Sequence, residues 1–129
     1  MTGTTTVVVD GANVVGSVPD GWWRDRRGAA ERLRDRLAAH AQEGFPGLPG
    51  PLDLVLVVEG AARGVAPVPG VRVESAPGSG DDLIVELARA AAEAGRGPCV
   101  VVTADRELRE RVTRHGARCV GPRAVRDAS

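Results

Sequence analysis

Acidic side chains stand in this sequence where apolar segments end and where helices are predicted to begin. Asp10 directly follows three valines, and Asp105 comes two residues after the end of the apolar run 99–103. Asp81 and Asp82 follow a turn rich in glycine. Carboxylates gathered at one place repel one another, and a hard divalent cation such as Mg²⁺ or Mn²⁺ relieves that repulsion. Such a cation polarises a phosphoryl oxygen and activates a water, which is the chemistry of phosphodiester hydrolysis.

Gathering these acids depends on the strands that precede them. Residues 6–10, 52–59 and 99–103 are runs dominated by valine and leucine. Uninterrupted apolar runs of this length are typical of strands buried on both faces of a parallel sheet. The carboxyl ends of parallel strands meet at one edge of an open α/β sheet, where ligands bind. We therefore expect the strand-end acids Asp10 and Glu59 to lie at the same edge as the others.

Helices and turns are predicted between these strands. We expect a loop over 11–21, helices over about 22–43, 80–94 and 105–115, and short strands over 71–74 and 118–121. This alternation predicts an α/β fold with a mostly parallel, doubly wound sheet and helices on both faces. With 129 residues, we expect residues 1–129 to form a single domain, frayed at about 122–129.

Each acid also has a purely structural explanation. Asp10 before a glycine suits a turn, and Asp105 suits the N-cap of the last helix. Ser79 and Asp82 have the spacing of a capping box. Each structural explanation is favoured when its residue is taken singly. Their predicted position at one edge favours a metal site when they are taken together.

The polar and acidic residues near these acids can likewise be explained by a functional role or by a structural one. Asn13, three residues after Asp10, could orient a water or a phosphate oxygen, or could form an Asx turn. Glu59 could join the acidic edge or pair with Arg63. Glu86 follows the paired aspartates by one helical turn, and we expect it to be solvated.

The 17 basic residues, all arginine, balance 17 acidic residues, so net charge predicts no attraction to nucleic acid. Arginines crowd the first and last predicted helices, where such residues usually form a solvated face. Any that flank the acidic edge would hold a nucleic-acid backbone. Trp22 and Trp23 begin the first long helix near that edge. One of them could stack on a base, whereas we expect at least one to pack against the sheet.

Several function classes are not supported by the sequence. It has no P-loop and no dinucleotide-binding glycine motif. Cys99 and Cys119 do not form a CxxC pair, and His40 and His115 lie on predicted charged helices, so we expect no zinc site. No apolar run approaches the ~20 residues of a membrane helix. The polar, uncharged start lacks the pattern of a signal peptide, and we expect a cytoplasmic protein with no membrane partner.

Four segments resemble, in order and spacing, the NYN domain of the PIN-like nuclease superfamily, and most of all its YacP-like branch. They are Val8-Val9-Asp10-Gly11-Ala12-Asn13, the strand ending at Glu59, Gly78-Ser79-Gly80-Asp81-Asp82, and Val102-Thr103-Ala104-Asp105-Arg106-Glu107-Leu108. The resemblance covers nearly the whole chain. It implies a PIN-like three-layer α/β/α sandwich with a mostly parallel central sheet, and a Mg²⁺- or Mn²⁺-dependent ribonuclease acting on RNA.

The resemblance also implies roles for individual residues. Asp10, Asp81 and Asp105 would be the catalytic, metal-binding acids, and Asp82 would be an alternate or second ligand. Asn13 would be the polar partner of the first acid, and Thr103 would assist the last one. The candidate substrate-binding residues are Asn13, Ser79, Thr103, Arg24 and Arg63.

Two alternative functions remain open on the same fold. A catalytically inactive module would bind RNA or a protein partner without using the acids. A small-molecule phosphatase would hydrolyse simple phosphate esters and leave RNA intact. The sequence leaves the oligomeric state open and is compatible with a homodimer.

Overall fold

In the computed structural model of the protein, which describes residues 4–126, five parallel strands form one sheet with helices on both faces. The strands are β1 (Thr5–Asp10), β2 (Gly44–Phe45), β3 (Leu48–Pro49), β4 (Leu52–Val58), β5 (Val71–Ser75), β6 (Cys99–Val102) and β7 (Arg118–Val120). The helices are α1 (Gly11–Gly16), α2 (Arg26–Ala39), α3 (Gly80–Ala94), α4 (Arg106–Thr113) and α5 (Arg123–Arg126), with 3-10 turns at Trp22–Arg24 and Gly60–Ala62. No helix within residues 4–126 has the length and apolar character needed to cross a membrane.

The strand order places the ends of β1 and β6 side by side. The sheet runs β5-β4-β1-β6-β7, and every pairing in it is parallel, while β2 and β3 form a separate antiparallel pair. The chain moves outward from β1 through β4 to β5, and α3 then carries it back to the other side of β1. The switch point between β1 and β6 is where open α/β sheets bind ligands. The expected mostly parallel α/β sheet is therefore confirmed.

The core lies on both faces of β1, which explains its run of three valines. Val7 and Val9 pack into the layer that contains α2, and Val8 packs into the layer that contains α3 and α4. Successive side chains of a strand point to opposite faces, so a central strand covered on both sides must be apolar throughout. All three valines are fully buried. The result is the expected three-layer α/β/α arrangement.

The structure corrects the predicted boundaries in three places. The predicted loop 11–21 contains α1, because Asp10 Oδ1 accepts the Asn13 N–H at 3.3 Å and caps a helical turn. The predicted helix 22–43 is split, because Asp25 is non-helical and its side chain caps α2. The predicted frayed end instead contains α5, with Val125 fully buried in the core. Residues 127–129 lie outside the described residues.

Candidate active site

Asp10 is the only acid within residues 4–126 that is buried, with 5% of its surface exposed. It ends β1, and Thr103 Oγ1 donates a hydrogen bond to its Oδ2 at 2.9 Å. Burial raises the pKa of Asp10 to about 6, although this bond and the one from the Asn13 N–H lower it. The charges of Asp81 and Glu59 raise the pKa of Asp10 further. The charged form of the Asp10 carboxyl group is therefore poorly stabilised by the protein and the solvent around it.

The segments that end β1 and β6 hold each other across the switch point. Asn13 Oδ1 accepts the Ala104 N–H at 2.9 Å. The Thr103 hydroxyl, which donates to Asp10, also accepts the Asp105 N–H at 3.2 Å. Each of the two polar side chains expected to assist the acids thus has a defined partner. These bonds set the position of Asp10 relative to Asp105.

Three further acids surround Asp10. Glu59 follows β4, and its Oε1 accepts the Gly80 N–H at 3.2 Å. Asp105 caps α4 by accepting the Leu108 N–H at 2.9 Å through Oδ1. Asp81 lies in the first turn of α3, where burial raises its pKa and the charges of Asp105 and Glu59 raise it further. Glu59 and Asp81 therefore lie near enough to Asp10, and Glu59 and Asp105 near enough to Asp81, to contribute to the raised pKa values of Asp10 and Asp81.

This donor set is compatible with a hydrated cation and does not form an all-protein cage. Within residues 4–126, no group of three or more His, Cys, Asp or Glu side chains is arranged to hold a metal ion. Mg²⁺ usually keeps several waters and is held by only one or two carboxylates in phosphoryl-transfer sites. Asp10 with Asp81 or Asp105 supplies such carboxylates. A cation there would offset both the burial and the neighbouring acidic charges that raise the pKa values of Asp10 and Asp81.

The structure sets two of the predicted site residues apart from this group. The Asp82 side chain is 88% exposed, and its Oδ1 accepts a bond from Arg111 Nη2 at 2.8 Å. Arg63 donates to the carbonyl oxygens of Ala76 and Pro77 at 2.7 and 2.9 Å. Arg63 therefore braces the segment before α3, and its pairing with Glu59 that the sequence allowed does not form.

Two other predicted substrate-binding residues have local partners. Ser79 Oγ accepts the Asp81 N–H at 3.2 Å and caps α3, one residue earlier than a capping box requires. The Arg24 guanidinium lies over the exposed ring of Trp23, 5.8 Å from its centroid. Asp105 is the helix cap that the sequence suggested, whereas Asp10 caps α1 instead of lying in a simple turn, and Ser79 caps α3 without forming the capping box with Asp82.

Arg109 is a site neighbour that sequence reasoning counted only among the helical arginines. Its Nε donates to the Thr103 carbonyl oxygen at 2.8 Å, so it anchors the end of β6 from α4. One signal points to it: Arg109 follows the helix cap Asp105 by four residues, and such residues share one face of a helix.

The Thr103→Val substitution is expected to destabilise the protein at pH 8 by about 2 kcal/mol, because a buried charged group loses its hydrogen-bond donor. Valine keeps the shape of threonine and removes the hydroxyl shared by Asp10 and Asp105. The Thr103→Ser variant retains the hydroxyl and serves as the matched control. Urea denaturation of both variants measures the effect. Because serine lacks the buried methyl group of threonine, the contradicting result is a Thr103→Val variant as stable as the unmodified protein, which would show that the hydroxyl does not support Asp10.

One large cavity of the protein does not coincide with these acids. It has a volume of about 900 Å³ and is lined by residues at the starts of β1 and β4, including Thr6 and Leu52. This places it at the amino-terminal edge of the sheet. Because parallel sheets bind their ligands at the carboxyl edge, its size alone does not make it the functional site.

Comparison with known proteins supports the fold. No protein-family model and no curated protein matches the sequence. Among solved structures, the chain is similar to the crystal structure of a mutant of Rae1 (YacP) from Bacillus subtilis, with a TM-score of 0.71 and 19% sequence identity. The match covers 96% of this chain and 74% of that chain. The protein therefore shares the α/β fold of that structure, as its motifs implied.

Proposed function

We propose that the protein is a metal-dependent ribonuclease that hydrolyses RNA phosphodiester bonds at the carboxyl edge of its sheet. The observation that carries the proposal is the buried Asp10, whose pKa is raised to about 6 beside two other acids at the switch point. Burial and like charges of this kind destabilise a fold and are typical of functional sites. The YacP-like fold and the Asp10-Gly11-Ala12-Asn13 segment support RNA as the substrate class.

The roles of the residues follow from their positions. Asp10, together with Asp81 or Asp105, would hold a hydrated Mg²⁺ or Mn²⁺ ion. The bound ion supplies Lewis acidity at a phosphoryl oxygen and lowers the pKa of a water. Thr103 and Asn13 hold the acids in place through the bonds that join the ends of β1 and β6. Because the pKa of Asp10 is about 6, this ligand is ionised at pH 8 even before a cation binds.

Cleavage of an end-labelled, single-stranded RNA in the presence of Mn²⁺ tests this proposal. We expect the Asp81→Asn variant to cleave at least about 100-fold more slowly than the unmodified protein, the scale seen when a metal site is impaired. Asp53→Asn is the matched control, because Asp53 is remote from the acidic edge and pairs with Arg72 on the surface. It should retain the unmodified rate.

A catalytically inactive RNA-binding module is the second candidate. It is favoured by the lack of a three-acid metal cluster within residues 4–126 and by the capping bonds of Asp105. The same RNA decides between the two. Binding without any cleavage at millimolar Mn²⁺ or Mg²⁺ would contradict the ribonuclease and support the module.

A further inference from the structure

A small apolar cavity adjoins the acidic edge. It has a volume of about 170 Å³ and lies between α1, α2 and the end of β4. Gly11, which directly follows Asp10, forms part of its wall, and so does Glu59, whose charge acts on both Asp10 and Asp81. The cavity therefore shares Gly11 and Glu59 with the edge of the sheet that carries Asp10 and Asp81.

One wall of the cavity is formed by Trp22, whose ring contacts two neighbouring side chains. The guanidinium of Arg26 lies over the Trp22 ring, 5.3 Å from its centroid, and the Trp23 ring meets Trp22 edge-on at 5.9 Å. Trp22 and Arg26 both line the cavity. Aromatic rings and guanidinium planes are the groups on which proteins stack unpaired nucleobases. Arg26 is exposed as well, so its charge also faces the solvent where a phosphate would lie.

Glu59 supplies a hydrogen-bond acceptor at the same place. Its Oε1 accepts the Gly80 N–H, and its Oε2 makes no hydrogen bond to any group in residues 4–126. A carboxylate next to an aromatic wall recognises a base that presents an amino group. In nucleic-acid recognition, acidic side chains accept from the N4 amino group of cytosine, whereas uracil presents a carbonyl oxygen there.

We propose that this cavity is a base-binding subsite for a single cytosine of single-stranded RNA, stacked on Trp22 and hydrogen-bonded to Glu59. The proposal rests on the ribonuclease function proposed above. The size supports one ring: an apolar cavity of about 150 Å³ holds one benzene molecule. The 170 Å³ available here therefore favours a pyrimidine over a two-ring purine. A nucleotide bound there would lie against Gly11, the residue that follows Asp10.

Binding without metal tests the subsite separately from cleavage. Short oligocytidylate and oligouridylate are titrated into the protein in EDTA. The fluorescence anisotropy of a labelled oligonucleotide measures the affinity. Quenching of tryptophan fluorescence shows whether the oligonucleotide binds next to a tryptophan. We expect oligocytidylate to bind about ten-fold more tightly than oligouridylate, the scale of one good base contact. Glu59→Gln should bring this ratio to about two-fold or less, because glutamine can also donate to the uracil carbonyl. Circular dichroism confirms that the variant is folded.

The two tryptophans of the chain provide a matched pair of variants. Trp22→Leu should abolish the fluorescence quenching by oligocytidylate and weaken its binding, whereas Trp23→Leu should retain both. Quenching that survives in Trp22→Leu and is lost in Trp23→Leu would overturn the subsite, because the exposed ring would then be the stacking surface. Equal affinity for the two oligonucleotides would overturn it as well. Cytosine-selective binding without cleavage in Mn²⁺ supports the subsite and contradicts only the ribonuclease.

Discussion

The Asp10→Asn variant is expected to be more stable than the unmodified protein at pH 8 without metal, by up to about 3 kcal/mol. The cause is burial, which raises the pKa of Asp10 from 3.8 to about 6 and so makes its charged form costly in the folded state. Asparagine has the same shape and no charge. It can still accept one of the two hydrogen bonds that the carboxylate accepts from Thr103 and the Asn13 N–H.

The pH dependence of this difference follows from the same pKa. Between pH 3.8 and about 6, folded Asp10 binds a proton more tightly than unfolded Asp10, so this group contributes less stability as the pH rises. Below pH 3.8 the side chain is neutral in both states, and the two proteins should differ little. Urea denaturation over a series of pH values should show the difference growing through this window and then levelling off. A difference that is constant with pH would contradict the raised pKa.

Added Mn²⁺ should stabilise the unmodified protein and leave the stability of Asp10→Asn unchanged. A ligand that binds only the folded state raises the melting temperature as its concentration passes the dissociation constant. If Asp10 is a metal ligand, the unmodified protein should melt at a higher temperature in millimolar Mn²⁺, and Asp10→Asn should not respond. If neither protein responds to millimolar Mn²⁺, the acids have purely structural roles.

The second large effect is expected for Gly11→Ala, which should destabilise the protein by about 3 kcal/mol through steric overlap. A Cβ atom at Gly11 would lie 2.6 Å from the Val57 carbonyl oxygen and 3.2 Å from Leu56 Cδ1. Val57 belongs to β4, which is hydrogen-bonded to β1 on one side and β5 on the other, so its backbone cannot readily move. The glycine is required for the close approach of α1 to β4.

Gly16→Ala is the matched control, because Gly16 lies in the same short helix. Its added Cβ would lie 3.7 Å from the Trp22 ring, an ordinary contact distance. Alanine favours helix over glycine, so this variant should match or slightly exceed the unmodified protein in stability. Denaturant midpoints of the two variants give the comparison. Similar midpoints would show that β4 adjusts to a side chain at Gly11.

The sheet could be predicted from sequence because the apolar composition of its strands indicates that they are buried. The valines of β1 and the run in β4 had no other plausible environment than a covered parallel sheet. α1 could not be predicted in this way, because three glycines and a proline over 11–21 indicate a loop. The helix forms because Asp10 caps it and Gly11 fits closely against β4, and that contact is tertiary. The split after Trp22–Arg24 did have a local signal, since Asp25 is a favourable N-cap.

The candidate site shows the same division between local and long-range information. Topology was enough to place Asp10, Asp81 and Asp105 at one edge, because all three follow the carboxyl ends of strands or begin helices there. Topology could not predict where the side chains of Asp82 and Arg63 point. Their directions depend on partners distant in the chain, Arg111 on α4 and the Pro77 carbonyl oxygen. Spacing along the sequence does not encode which partner a long side chain will reach.

The hydrogen bonds that join the ends of β1 and β6 also determine when the site can form during synthesis of the chain. They connect residues 93 and 91 positions apart, from Asp10 to Thr103 and from Asn13 to Ala104. A growing chain that has left the ribosome only as far as β5 lacks the strand that completes this side of the site. Contacts of such high sequence separation form late, because the intervening loop must be closed first. Asp10, the first of these acids to be made, therefore acquires its environment only after most of the chain has been made, and a half-made chain has no assembled acidic edge.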